Sequence, residues 1–265
     1  MAEPYTYISD KEAKELICEI GRRVYNKNFV AANDGNISIR TGDNEIWTTP
    51  TGVSKGFMEP DMMVKMDLSG NVLEGTNKPS SEVKMHLRVY QENPESTAVV
   101  HAHPPVATSF AIAGIALDKP VSPEAIVLLG KVPVAPYATP GTQEVPDSIA
   151  PYCKDYNAVL LANHGALTWG RNITEAYFRM ESLEHYALML LYSNHIIQKS
   201  NELTTGQIAE LITIRKKMGI QTGGIPAPSS ERKTDTTLGL SEDVIGIIVR
   251  KVTEEVLRNV SKWSN

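Results

Sequence analysis

The sequence predicts an α/β protein, on three kinds of pattern. Two runs of strand character lead to histidine, 98–100 just before His101 and 158–164 ending in His164. Long stretches at 172–198 and 207–218 repeat apolar residues at helical spacing. Between these lie short alternating or apolar runs such as Ile37-Ser38-Ile39-Arg40, which read as strands. The 265 residues, 42% hydrophobic and 22% charged, suffice for a full core. A formal charge of -5 gives no electrostatic reason to expect nucleic acid or an anionic membrane as partner. No run is long enough to span a bilayer, and the first ten residues lack a charged-then-apolar leader, so the expected location is the cytoplasm. Two cysteines, Cys18 and Cys153, suggest no disulfide framework.

Taken in order, Ser9-Asp10-Lys11-Glu12 resembles a capping box opening a helix with Ala13, Leu16, Ile17, Ile20 and Val24 on one face. A turn at Asn33-Asp34-Gly35-Asn36 precedes the strand 37–40. A second strand, 45–48, runs into the turn Thr49-Pro50-Thr51-Gly52. Residues 64–68 and 72–73 flank Ser69-Gly70-Asn71 as a hairpin. Ser80-Ser81-Glu82 then opens a helix whose face includes Val83, Leu87 and Tyr90. Free N–H groups there favour an anion, although a serine that only caps the helix explains the pattern equally well. His86, one turn on, has no partner histidine at metal spacing and reads as a packed or hydrogen-bonding residue. Helices are expected at 104–113, 125–129 and 145–153, with a strand at 132–135.

The strand 98–100 is stopped by Pro104, and alternation puts His101 and His103 on the same side. Alone, His-x-His is weak evidence, and two ordinary strand-end histidines account for it. His164, in Asn163-His164-Gly165 at the end of another apolar strand, supplies the third ligand a catalytic zinc site needs. Asn36, Thr51-Gly52 and Ser80-Ser81 are small hydrogen-bonding groups suited to holding a phosphate without cationic side chains. Glu82 follows the serines directly and would stand between phosphate and metal. A metal that binds a ketone and its neighbouring hydroxyl stabilises an enediolate, while a carboxylate moves the proton.

Gly35-Asn36, Thr51-Gly52, Ser80-Ser81-Glu82, His101-x-His103 and Asn163-His164-Gly165, in this order, resemble the zinc-dependent class II aldolase/epimerase family. Pro136-Tyr137-Ala138-Thr139 and Gly141-Thr142 add to the likeness, which spans about residues 10 to 218. The resemblance implies a three-layer α/β/α sandwich with a predominantly antiparallel central sheet, in a homotetramer. It implies one Zn²⁺ per subunit, or another divalent ion, on His101, His103 and His164. Glu82 would be the acid/base and a further ligand of the empty metal. Gly35, Asn36, Thr51, Gly52, Ser80 and Ser81 would bind the phosphate of a sugar substrate. Glutamate after the serines favours aldolase over the ribulose-phosphate 4-epimerase branch, which carries aspartate there. The activity so implied is reversible cleavage of a ketose 1-phosphate, L-fuculose 1-phosphate first, to dihydroxyacetone phosphate and L-lactaldehyde. Alternatives are L-rhamnulose 1-phosphate or a 5-deoxypentulose 1-phosphate as substrate, dehydration of methylthioribulose 1-phosphate, and a non-catalytic adducin-like scaffold. The chain departs from the aldolase pattern on the aldehyde side, where the family's two tyrosines would fall near Glu124 and Met218.

The organisation expected is an aldolase domain over 1–218, a flexible linker over 219–240 and an amphipathic helix over 241–265. In that last piece Val244, Ile245, Ile248, Val249, Val252, Val256 and Val260 form one stripe. The pattern resembles the encapsulation peptides that deliver enzymes into bacterial microcompartments, with a shell protein as partner of 241–260. A helix folded back on its own subunit is the alternative.

Overall fold

The computed structural model describes residues 6–231 of the chain. Along it run α1 (Asp10–Asn26), β1 (Asn36–Gly42), β2 (Glu45–Thr48), β3 (Val64–Asp67), β4 (Val72–Glu74), α2 (Val83–Glu92) and β5 (Ala98–Ala102). Then follow α3 (Pro105–Ile112), α4 (Pro123–Leu128), β6 (Val134–Ala135), α5 (Glu144–Cys153), β7 (Ala158–Leu161), β8 (Gly165–Gly170), α6 (Ile173–Leu190) and α7 (Thr205–Lys217). Ser9 starts α1 as its spacing suggests, its hydroxyl accepting the Glu12 N–H at 3.2 Å. Ala13, Ile17, Ile20 and Val24 are the buried face of that helix.

The strands described form one sheet in the order β4-β3-β2-β1-β5-β8-β7-β6. Each neighbouring pair is antiparallel except β6 with β7. Alternation divides the sheet between two cores. Val100, Ala102 and Ala166 join the apolar residues of α1, α3 and α6 on one face. Val99, Leu167 and Trp169 join those of α2 and α5 on the other. The fold is therefore the three-layer, mostly antiparallel α/β/α sandwich expected. Among the described residues no helix is long and apolar enough to cross a membrane.

Three features differ from the sequence reading. Residues 165–170 form a strand, β8, where none was expected, and every one of its side chains is buried. Strand β5 runs on through His101 and Ala102, because both are paired to β8. The long helix α6, expected to continue to 198, changes at Leu191 into a π-helical turn ending at Ile196.

Residues 219–229, expected as the start of the linker, are instead held against the domain. The Gly223 N–H donates to Asp155 O at 2.8 Å, and the Lys131 N–H donates to Gly223 O at 2.6 Å. The buried Arg215 guanidinium clamps the carbonyls of Ile126, Thr222 and Gly224. Glycine and proline here let the backbone turn along the surface rather than leave it. The compact unit ends at Ser229. The linker beyond 231 and the amphipathic helix expected over 241–265 lie outside the described residues.

Candidate active site

Sheet register assembles the site. Asn36 on β1 lies opposite His101 on β5, and His101 lies opposite Leu167 on β8. His103 sits one residue past β5, its backbone N–H fixed to Phe29 O at 2.8 Å. His164 occupies the turn from β7 to β8, where Asn163 takes the left-handed conformation with φ 58°. That conformation suits asparagine among the residues that carry a side chain. The three histidines converge: His101 Nε2 and His103 Nε2 are 3.1 Å apart, and one ligand atom from each ring lies within 4.8 Å of the others.

Hydrogen bonding fixes what these rings present. His101 Nδ1 faces the Ala166 carbonyl at 2.9 Å and must donate to it, so Nε2 turns a lone pair into the cluster. His103 directs Nδ1 towards Asp34, 3.5 Å away, and Nε2 inward. Glu82 completes the group, one carboxylate oxygen 3.4 Å from His101 Nε2 and the other 3.1 Å from His164 Nε2. The oxygen nearer His164 is buried yet receives no directed hydrogen bond. Lone pairs and a buried carboxylate oxygen without a donor, all facing one point, are what a cation would satisfy. Three imidazoles with an acidic neighbour suit zinc or a similar divalent ion. Burial would raise the Glu82 carboxyl, but whenever the His101 or His164 ring is protonated its hydrogen bond and charge outweigh burial and hold the group below the usual carboxylate range. Burial, reinforced by the other two rings, pushes His103 down to about 3 and keeps it in the neutral form a ligand needs.

The small polar residues expected to bind phosphate come together beside this cluster. An isolated bridge between Pro50 and Pro79 joins the two turns, and Ser80 N–H donates to Thr49 O at 3.1 Å. Thr51, Gly52 and Ser81 are exposed, Ser80 is half-buried and Asn36 is buried. Gly35 has φ 75°, and a Cβ there would lie 2.8 Å from the His101 carbonyl oxygen, so only glycine brings β1 this close to the histidines. Asn36 Nδ2 donates to Ser80 Oγ at 2.8 Å, and the Glu82 N–H donates to the same oxygen at 3.3 Å. The phosphate candidates and the acidic residue are therefore one hydrogen-bonded unit.

Two residues outside the expected set support it. Lys55 is buried, and its amine donates to Asn33 O at 2.9 Å and Val53 O at 2.7 Å, tying the turns at 33–36 and 51–54 together. Burial pushes its ammonium down to about 8, against the pull of Asp34 and Glu82. A lysine within a small-residue turn looks exposed in sequence, so nothing there signalled this role. His86 is buried and bonded to Ser38 and Asn36, as a hydrogen-bonding histidine should be. At the two positions where the resemblance would place tyrosines, Glu124 sits in the first turn of α4 and Met218 caps α7. The 136–142 loop leaves β6 at the sheet end that carries His164 and exposes Tyr137.

The family model described as Class II Aldolase and Adducin N-terminal domain matches residues 15–191. An L-fuculose phosphate aldolase of Methanococcus maripaludis is 38% identical over 181 residues, covering 67% of this chain and 96% of the relative. A 3-oxo-tetronate 4-phosphate decarboxylase of Pectobacterium atrosepticum is 33% identical over 207 residues, covering 77% of this chain and 94% of the relative. A solved structure of L-fuculose 1-phosphate aldolase superposes with TM-score 0.73 and 29% identity, covering 82% of this chain and 100% of that one.

Proposed function

Because the chain belongs to the Class II Aldolase and Adducin N-terminal domain family, we propose that it releases dihydroxyacetone phosphate from a ketose 1-phosphate, L-fuculose 1-phosphate first, with L-lactaldehyde as the other product. It is a lyase of this family. One observation carries the substrate half: Glu82 joins the two groups, its carboxylate facing His101 and His164 and its backbone N–H donating to Ser80 of the Asn36–Ser80 pair. A ketose 1-phosphate places its phosphate two bonds from its ketone, which matches that order of groups.

His101, His103 and His164 would hold the metal, zinc in this proposal, with Glu82 as a further ligand before substrate arrives. A divalent ion bound there supplies withdrawal of charge from a ketone and its adjacent hydroxyl. Gly35, Asn36, Thr51, Gly52, Ser80 and Ser81 hold the phosphate through amide and hydroxyl donors and so fix the three-carbon half of the sugar. Glu82 then protonates the carbon freed by cleavage, and in the reverse direction removes the same proton. Its burial keeps bulk water from that carbon. We extend the proposal to a homotetramer, and to a microcompartment shell protein as partner of 241–260. Support for these comes from the motif resemblance and from the linker-plus-stripe pattern of the sequence.

A second substrate is favoured by the decarboxylase relative and by the missing tyrosines. Loss of CO₂ from 3-oxo-tetronate 4-phosphate leaves the same three-carbon enediolate and ends in the same triose phosphate. It requires no group to handle an aldehyde oxygen. The purified, metal-loaded protein should therefore be offered each compound in turn, with dihydroxyacetone phosphate, lactaldehyde and CO₂ measured. Triose phosphate with lactaldehyde supports the aldolase, and triose phosphate with CO₂ assigns the decarboxylase. Release from neither contradicts the proposal.

A further inference from the structure

A chain of buried polar side chains runs from the core of the sheet to the phosphate candidates. Asn36 and Ser38, two apart on β1, share one face of the strand, and His86 and Tyr90, four apart on α2, share one face of the helix. Two strand residues rise about 6.7 Å and one helical turn about 5.4 Å, so the pairs can meet across the layer. They do: Tyr90 hydroxyl and Ser38 Oγ are 2.7 Å apart, Ser38 Oγ and His86 Nδ1 2.7 Å, His86 Nε2 and Asn36 Oδ1 2.8 Å. All four residues are 0–1% exposed, so no water competes for these groups.

The bonding pattern gives the chain a direction. Asn36 Nδ2 donates to Ser80, leaving Oδ1 to accept, so His86 Nε2 carries the ring proton. His86 Nδ1 must then accept from Ser38, whose oxygen in turn accepts from Tyr90. At the far end Ser80 Oγ accepts from both Asn36 Nδ2 and the Glu82 N–H. With its acceptor capacity filled twice, its own proton is left to be given away. Reversing the chain would make Ser80 spend that proton on Asn36.

We propose that His86 is a positioning residue that, through Asn36, sets the Ser80 hydroxyl as a donor to the substrate phosphate. It touches no substrate itself. The assignment rests on the phosphate cradle described under the proposed function, and it adds the buried relay that orients it. The relay discriminates by proton direction, so it favours a fully ionised phosphate, which only accepts, over a neutral group that would need to donate.

The test uses the metal-loaded full chain and inorganic phosphate as the probe, with binding followed by calorimetry. His86→Phe keeps the ring's bulk and removes both nitrogens, and should weaken phosphate about tenfold. His86→Gln, whose amide can replace the Nε2 donor, should recover most of that loss. In a Ser80→Ala background the His86→Phe effect should shrink to what passes through Asn36 alone, since the relay acts chiefly through that hydroxyl. In turnover, KM for the phosphorylated substrate should rise with a smaller change in kcat. If His86→Phe does not fold, Ser38→Ala interrupts the same chain one step back and should weaken phosphate in the same direction. Unchanged phosphate affinity in these variants, or an equal His86→Phe effect with and without Ser80, would overturn the relay and leave the enzyme assignment standing. A wild-type protein that binds no phosphate overturns the cradle itself.

Discussion

Gly165→Ala isolates space from backbone conformation, because Gly165 has no positive φ and alanine can adopt its geometry. A Cβ there would lie 2.5 Å from His103 Cδ2, 2.7 Å from the Ala102 carbonyl oxygen and 3.3 Å from His101 Cε1. Carbon atoms rest about 3.5–4.0 Å apart, so the overlap on His103 is roughly 1 Å. The Ala102 oxygen belongs to β5, whose ladder to β8 resists displacement. The softer response is rotation of the His103 ring, whose side chain is 25% exposed. Overpacking of this kind costs about 1–3 kcal/mol, and each kcal/mol lowers the melting temperature by roughly 2–4 °C in a domain of this size. Scanning calorimetry of the metal-free protein should thus show a fall of several degrees. Zinc titration should show a loss of at least about tenfold in affinity, because a rotated ring no longer points into the cluster. Wild-type zinc affinity in a folded Gly165→Ala protein would refute the close packing of β8 on the histidines as the reason for glycine.

Two further outcomes follow from the fold. Burial, with His101 adding to it and Glu82 opposing it, pushes His86 down to about 3. The unfolded chain therefore takes up a proton near pH 6.5 that the folded protein refuses, and stability falls as pH drops from about 6.5 towards 3, by up to about 1.4 kcal/mol per pH unit. Urea unfolding at pH 7, 6 and 5 should show His86→Gln with a slope shallower by one proton, and equal slopes would contradict the buried neutral ring. A chain ending at Ser229 should keep its metal and its release of triose phosphate, since every group placed in the site lies within the compact unit Met1–Ser229. Loss of either would favour the fold-back alternative for the C-terminal stripe.

The histidines were legible because a strand's twofold alternation fixes which side His101 and His103 share, whatever the sheet order. Small polar residues in turns were legible for a similar reason: their chemistry is local. Strand β8 was not legible. Its residues are buried on both sides, so Gly165-Ala166-Leu167-Thr168-Trp169-Gly170 shows no alternation. That omission hid why His101 is in place, since its tautomer is set by the Ala166 carbonyl. The relay from Tyr90 to Ser80 was hidden by distance, its cross-layer partners lying 44 to 52 positions apart until the layers pack. His86 and Tyr90 read as inward-facing, but nothing in the sequence names the partners they meet across the layer. Residues 219–229 misled through composition, because glycine and proline mark a turning backbone as readily as a loose one.

The most direct measurement is hydrogen exchange on dihydroxyacetone phosphate in deuterium oxide, with no aldehyde or CO₂ added. Both candidate reactions end in protonation of the same carbon, so this isolates the step assigned to Glu82 from the identity of the substrate. The metal-loaded wild-type protein should exchange one carbon-bound hydrogen. Glu82→Gln, shown by metal analysis to keep its ion, should exchange at least about 10²-fold more slowly. Exchange at the wild-type rate in that variant would contradict Glu82 as the group that moves the proton.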